Sequence, residues 1–421
     1  MNTTHSNINQ GCDEVTAGLL SVDEARQRIM DAMSPVNGHE KLAIRDALDR
    51  VLAEDIQSSI NVPPYDNSAM DGYALNSEDL PASGETSLEL VGESFAGKPY
   101  TGSLGRGQAV RIMTGAVIPA GADTIIMQEQ LNREGDSIII KPGHRKGDHV
   151  RFVGEDMRVG QTILKSGKLI TPAELGLLAS LGLAEVTVMR KIRVAFFSTG
   201  DELKSVGETL RKGQIYDSNR YTLYGMLKRM GVELIDMGVI KDRREDVMQA
   251  FSDAAEIADA ILTSGGVSVG DADYVKEALE ALGQVNFWRV AMKPGKPLAI
   301  GHIKQAAFFG VPGNPVSAMA TFYQFVQPAL QKLMGMDAAF KTLLKVPCYS
   351  ALKKARGRLE YQRGVLAYNE EGELMVETTG VQGSHILTSM SRANCFIILD
   401  ADCSGVAIGD KVTVQPFAGI I

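Results

Sequence analysis

Apolar and polar positions change rhythm several times along the chain, and each change marks a stretch with its own architecture. Ser21 precedes an amphipathic run with Glu24 three residues on, which predicts a helix opened by a capping box. Leu42, Ala43, Leu48 and Leu52 predict a second helix. From about residue 61 to 150, Gly and Pro become frequent and the apolar runs shorten to 87–91, 109–113, 124–127 and 137–140, which predicts a small β-rich module. Helical spacing returns over 171–182, with Thr171-Pro172 as N-cap and first helical residue.

The next stretch has the clearest pattern. Buried-type strands at 192–197, 232–237, 259–263 and 285–290 alternate with helices at 218–230, 243–255 and 271–282. A hairpin of 298–301 with 306–310 and a long helix over 315–334 follow. That alternation predicts a parallel α/β sheet. After Gly335 the pattern turns to strands at 341–352, 359–368, 374–378, 395–399 and 411–414, read as a small β-barrel or sandwich. No internal repeat is evident.

A length of 421 residues allows two to four domains. The net charge of −8 lacks the basic footprint of a nucleic-acid binder. No window of about 18 apolar residues exists, and the longest apolar-looking stretch runs only from Gly176 to Ala184, so no membrane helix is expected. The polar N-terminus has no apolar signal-peptide core, and residues up to about Gly18 read as a tail. Cys12, Cys348, Cys395 and Cys403 form no CxxC pair and the histidines no HExxH pattern. Free thiols in a reducing cytoplasm are therefore expected rather than disulfides or zinc.

In an open α/β sheet, ligands gather beyond the carboxyl ends of the strands. Three Gly-bearing segments fall there: 198–202 (STGDE), 263–270 (TSGGVSVG) and 311–317 (VPGNPVS). Such turns can aim N–H groups at an anion, and a helix N-terminus adds a positive dipole. The nearby acids Asp201, Glu202, Asp242, Asp271 and Asp273 are oxygen donors suited to Mg²⁺, although an acid at a helix start also stabilises the helix by itself. Lys293 and Lys296 stand in a stiff KPGKP turn, as fixed cations for a multiply charged substrate or as a solvated hairpin. Polar loops at 62–73, 111–116, 154–156, 357–364 and 383–385 read on composition as surface structure. Strand–GxGxxG–helix and GxxxxGK[ST] patterns are both absent, so nicotinamide and Walker-type enzymes are unsupported. The residues by themselves point to an α/β enzyme handling a phosphate-bearing ligand with Mg²⁺.

DNSAMDGYA (66–74), RIMTGA (111–116), FSTGDEL (197–203), TSGGVSVGDADY (263–274), KPGKP (293–297), GVPGNPVSA (310–318), GRLEYQRG (357–364) and GSH (383–385) together resemble the MoeA family of molybdopterin molybdenumtransferases, or molybdenum insertases. The resemblance runs in the family's order from about residue 18 to the C-terminus. TSGGVSVGDADY alone is shared with pterin adenylyltransferase and competence-damage modules. The resemblance implies four domains: residues 1–60 and 150–185 as an elongated discontinuous domain, 61–149 as an inserted β-rich domain, 186–336 as a MogA/MoaB-like α/β domain, and 337–421 as a β-barrel.

It further implies a cytoplasmic homodimer that inserts molybdate into adenylylated molybdopterin and releases AMP in a Mg²⁺-dependent step. A transient contact with the adenylyltransferase that supplies the pterin is also expected, with no nucleic-acid or membrane partner. Carried over by position, Ser264, Gly265, Gly266, Ser268 and Gly270 hold the pterin phosphate, with Pro312, Asn314 and Pro315 beside them. Glu202, Asp242 and Asp273 are the acids at metal and phosphate. Lys293, Lys296, Arg363 and Ser384 surround molybdate. Asp71, Thr114 and Asp156 reach the site from the partner subunit. The alternatives are a pterin adenylyltransferase, which consumes ATP and needs only about residues 186–335, and a non-catalytic pterin-binding scaffold.

Overall fold

The computed structural model describes residues 18–265, 274–337 and 342–417. They form two compact units, one of residues 41–48 and 52–188, the other of residues 18–40, 49–51 and 189–417. Among the described residues no helix is long and apolar enough to cross a membrane.

The smaller unit contains the expected β-rich module. Its six-stranded sheet has the order Thr124–Met127, Gly72–Leu75, Gln108–Ile112, Thr86–Ser94, Ser137–Ile140, Asn132–Glu134. Gly72–Leu75 is buried along its whole length because it is the second strand in, paired on both edges. A separate core joins Leu52, Ile56, Leu164, Ile170, Leu178, Val186 and Val188.

The helix expected from Leu42 to Leu52 does not form. That stretch holds the strand His39–Ala43 and one 3-10 turn, Ile44–Ala47. The Ile44 N–H goes to Ala184 O at 3.0 Å, and Asp49 has φ 60, a conformation that ends any helix. The apolar spacing 42–48–52 also never closes a helical stripe.

The helix Pro172–Ser180 starts as its sequence predicts, with Thr171 as N-cap, Pro at its first turn and a complete capping box. Burial pushes the Glu174 carboxyl up, but hydrogen bonds from Thr171, with Lys168 at 3.2 Å, outweigh it and hold the group down at about 2. A carboxylate depressed in the folded state contributes stability that is complete above its unfolded pKa and lost as pH falls through the folded one.

The larger unit carries the α/β domain. Its six-stranded sheet runs Glu233–Ile240, Arg193–Thr199, Ala260–Ser264, Ala306–Val311, Pro297–Ile303, Gly283–Arg289. The first four strands are parallel, and the hairpin strand Pro297–Ile303 is antiparallel to both neighbours. Alternation along each strand divides the core. Val194, Phe196, Leu262 and Phe309 pack on one face with Leu223 and Leu227 of the helix Ser218–Arg229. Ala195, Phe197, Ile261 and Phe308 pack on the other with the helix Arg244–Ile257, where Phe251 meets Phe197 and Phe308 edge-on at 5.2 and 5.6 Å.

The long helix is continuous from Pro315 to Leu333, with a π turn at Phe322–Val326. The first helix, Val22–Ala32, buries Val22, Ala25 and Ile29 in this unit's core. Ser21 Oγ accepts from Glu24 N at 3.1 Å, but the Glu24 carboxylate pairs with Arg28 at 2.7 Å, so only half of the expected capping box forms. In the C-terminal region Leu374–Thr378, Leu359–Tyr368, Cys395–Leu399, Lys411–Pro416 and Leu344–Pro347 pair in succession. A bridge between Cys348 and Val376 returns the last to the first and closes the sheet on itself. The short helix Leu387–Arg392 was not expected from the sequence.

Glu174→Gln is expected to cost about 1 kcal/mol at neutral pH, the usual worth of a helix cap. It should also flatten the acid limb of thermal melts below about pH 5. A variant that melts like the wild type across that range contradicts the assignment.

Candidate functional site

Chain order and sheet order part at Arg193–Thr199: its successor Glu233–Ile240 lies on one side and Ala260–Ser264 on the other. This is the crevice where open α/β sheets bind ligands. Gly265 leaves the strand Ala260–Ser264 with φ +92, which favours glycine, and a Cβ there would crowd Thr199 O at 3.0 Å. The Gly265 N–H itself is spent on Val311 O at 3.2 Å.

Asn219 holds this edge together. Buried in the first turn of its helix, it donates to Ser264 Oγ and to Gly313 O, both at 2.7 Å, which fixes the 263–265 loop against the 312–315 loop. Its Oδ1 is buried without a partner among the described residues. Sequence reading missed Asn219, although a signal existed: it occupies the same helical stripe as the buried Leu223 and Leu227, a polar residue at a core position.

The contacts continue into the C-terminal region. Asn314 stands at the N-cap of the long helix, followed by Pro315, and the Val316 N–H donates to Ser384 O at 3.1 Å. The neighbouring Gly383 O accepts from Arg363 Nη2 at 3.0 Å, and Ser389 Oγ accepts from Arg363 Nε at 3.0 Å. Arg363 is 1% exposed, and among the described residues it forms no ion pair. Burial pushes its guanidinium down to about 10, still charged at neutral pH. A buried cation whose protein partners are all neutral has electrostatic capacity left for an anion.

Ser264, Gly265, Pro312, Asn314, Pro315, Ser384 and Arg363 are thus joined by one chain of contacts. Lys293 is placed differently. It pairs in register with Glu360, and its Nζ lies 3.1 Å from Glu360 Oε1. Glu360 and Gln362 align with Leu399 and Ile397, which face the closed sheet's interior, whereas Arg363 aligns with Phe396 on the other face. Lys293 and Arg363 therefore flank the strand Leu359–Tyr368 from opposite sides. Lys296 makes no ion pair among the described residues, and its carbonyl closes the KPGKP turn by accepting from Val290 N at 2.8 Å. Glu360 and Ser389 were not singled out by sequence.

Among the acids, Glu202 lies over Gly200, where a Cβ would meet its carboxylate at 2.5 Å. Asp201 Oδ1 accepts the Asp242 N–H at 3.3 Å, which brings the ends of two adjacent parallel strands together. Among the described residues no group of three His, Cys, Asp or Glu is assembled for a metal. Gly266, Ser268, Gly270, Asp271 and Asp273 lie outside the described residues. Oxygen donors at a phosphate site suit Mg²⁺, which takes one or two carboxylates together with water and substrate phosphates.

Asp71, Thr114 and Asp156 belong to the smaller unit. Asp71 Oδ1 accepts from both the N–H and the hydroxyl of Thr114 at 2.8 Å, and the backbone bond first, then the hydroxyl, hold its carboxyl below the usual range. Asp156 lies on a neighbouring loop tied to the 62–73 segment through Val62 O, at 3.0 Å from the Asp156 N–H, and through Asp66, whose carboxylate accepts Val153 N at 2.7 Å. A cleft of about 950 Å³ lined by Val22, Arg26, Tyr323, Tyr361 and Phe417 contains none of the predicted site residues.

Gly265→Ala is expected to destabilise the chain by about 1–2 kcal/mol through φ strain and the Thr199 contact. It should also weaken binding of a phosphate-bearing ligand, read by calorimetry. Unchanged binding would move the ligand away from this crevice.

The chain matches three family models in succession: "MoeA N-terminal region (domain I and II)" over residues 20–182, "Probable molybdopterin binding domain" over 195–332 and "MoeA C-terminal region (domain IV)" over 345–417. A molybdopterin molybdenumtransferase of Haemophilus influenzae is 46% identical over 406 residues, covering 95% of this chain and 99% of the relative. One from a Nostoc species is 36% identical over 87% of this chain and 86% of its own length. The crystal structure of a molybdopterin biosynthesis moeA protein from Pyrococcus horikoshii superposes with a TM-score of 0.82 at 29% identity, covering 95% of this chain and all of that one. With all three regions matched in order across nearly the whole length, the chain belongs to the MoeA family of molybdopterin molybdenumtransferases.

Proposed function

We propose that this chain inserts molybdenum into molybdopterin, taking molybdate and adenylylated pterin as substrates and releasing AMP. The observation that carries this reading is the buried Arg363 guanidinium, tied through Gly383 and Ser384 to the same loops that Asn219 fixes at the sheet edge. A tetrahedral dianion beside a phosphate-bearing pterin needs that combination of a desolvated cation and a rigid anion crevice.

In this reading Ser264 and the 312–315 loop orient the pterin's phosphate end, and Arg363 and Ser384 bind molybdate, with Lys296 and Lys293 adding positive charge. Glu202 and Asp242, with Asp273 from outside the described residues, would hold a divalent cation, which would screen the charge of the phosphate linkage. The metal centre of the product is retained by the pterin's own sulfurs. The free cysteines agree with this, since Cys348 and Cys395 are buried inside the closed sheet and burial pushes both thiols up, Cys395 to about 12.

The chain works as a homodimer in which Asp71, Thr114 and Asp156 of one subunit complete the site of the other. Supporting this, Tyr65, Met70, Phe152 and Val153 are exposed on the same loops, an apolar surface of the kind that seeks a partner.

The test combines purified chain, adenylylated molybdopterin, Mg²⁺ and molybdate without ATP, following AMP release and pterin-bound molybdenum together. Both should appear, and both should depend on molybdate. Pterin binding with neither product would favour a scaffold. Asp242→Ala should lower turnover by about 100-fold or more with an unchanged melting temperature. Unchanged AMP release would remove Asp242 from the mechanism.

A further inference from the structure

Glu360, inside the GRLEYQRG segment, is a carboxylate with 4% exposure to which the proposed reaction assigns no role. Its Oε1 accepts from Lys293 Nζ at 3.1 Å and its Oε2 from Gln362 Nε2 at 3.1 Å. Gln362 is itself anchored by donating to Lys353 O at 3.1 Å. The carboxylate is therefore held rigidly, whereas the Lys293 side chain is 49% exposed on a short edge strand and its head has room to turn. Alternation along Leu359–Tyr368 puts this pair on the face away from Arg363.

From this geometry we infer that Glu360 sets the affinity for the oxyanion by retaining Lys293. The carboxylate cancels the ammonium charge and keeps the head off the Arg363 side, and an arriving dianion competes with Glu360 for it. The pairing is a tuning device: a doubly charged anion binds less tightly than the full complement of cations would allow, which favours handing it on to the pterin. The inference rests on the reading that Lys293 serves molybdate.

The electrostatic sign makes the test direct, because removing a negative charge beside an anion site strengthens anion binding. Glu360→Gln should lower KM for molybdate about three- to tenfold at saturating adenylylated pterin, the worth of one charge-assisted contact, with kcat within about twofold. In a Lys293→Met background the same substitution should lower the molybdate KM by less than about twofold, since Glu360 acts on the anion mainly through Lys293 and only at longer range through Lys354. Glu360→Met provides a second variant of similar volume should the glutamine disturb Gln362.

A KM that rises or stays constant in a variant that melts like the wild type overturns the inference. So does a large loss of thermal stability in both variants, which would make Glu360 structural. If Lys293→Met alone leaves the molybdate KM unchanged, the fault lies in the placement of Lys293 at molybdate rather than in the role of Glu360.

Discussion

The arrangement of the site depends on a buried guanidinium that no carboxylate among the described residues pairs. Arg363 is among the largest fully buried side chains of the protein, and its partners, the Ser389 hydroxyl and the Gly383 carbonyl, are neutral. Taking a guanidinium out of water costs several kcal/mol that neutral hydrogen bonds offset only in part. In the proposed reading an anion completes the group. Its supports then acquire a purpose. Gly383 and Ser384 form the segment that meets the start of the long helix, that helix is anchored beside Gly313, and Asn219 binds Gly313 to the end of a parallel strand. The crevice of the α/β domain and the cation of the C-terminal region are one continuous polar construction.

Much of the fold was legible because its signals are local. The α/β stretch alternates buried strands with amphipathic helices, and Gly231 stops one of those helices with φ 73 where the sequence predicts its end. The Thr171–Glu174 capping box formed because Lys168 takes only Oε1 of Glu174 and leaves Oε2 to Thr171, whereas at Ser21 the equivalent Glu24 found Arg28. The stretch from Leu42 to Leu52 was misread because its apolar residues serve strand pairing and one tight turn, outcomes set by residues about 140 positions away. The helix Leu387–Arg392 has too few residues to show a period, yet its Ser389 is what holds Arg363.

The site was legible where chemistry is written in the chain as motifs. Ser264, Gly265, the 312–315 loop, Ser384 and Arg363 fall into one contact chain at the sheet edge. What the motifs could not reveal is side-chain direction. KPGKP and GRLEYQRG read as two sources of positive charge for one anion, but strand alternation sends Lys293 to Glu360 on one face and Arg363 to Ser389 on the other. Likewise the acids in the smaller unit are ordered by their own loops: Asp71 is satisfied by Thr114, and Asp66 by Val153. Sequence identifies which residue types are present, while register and pairing decide which of them meet.

The central claim is that the buried Arg363 charge exists for an oxyanion. Thermal melts of the full chain and of Arg363→Met, with and without molybdate, test it most directly. A ligand at 100 times its Kd stabilises by about 2.7 kcal/mol, a readily measured rise in melting temperature. The account predicts that rise for the wild type and its loss in Arg363→Met. A variant that folds and gains the same rise from molybdate would show that the anion is held elsewhere, and the buried guanidinium would need another explanation.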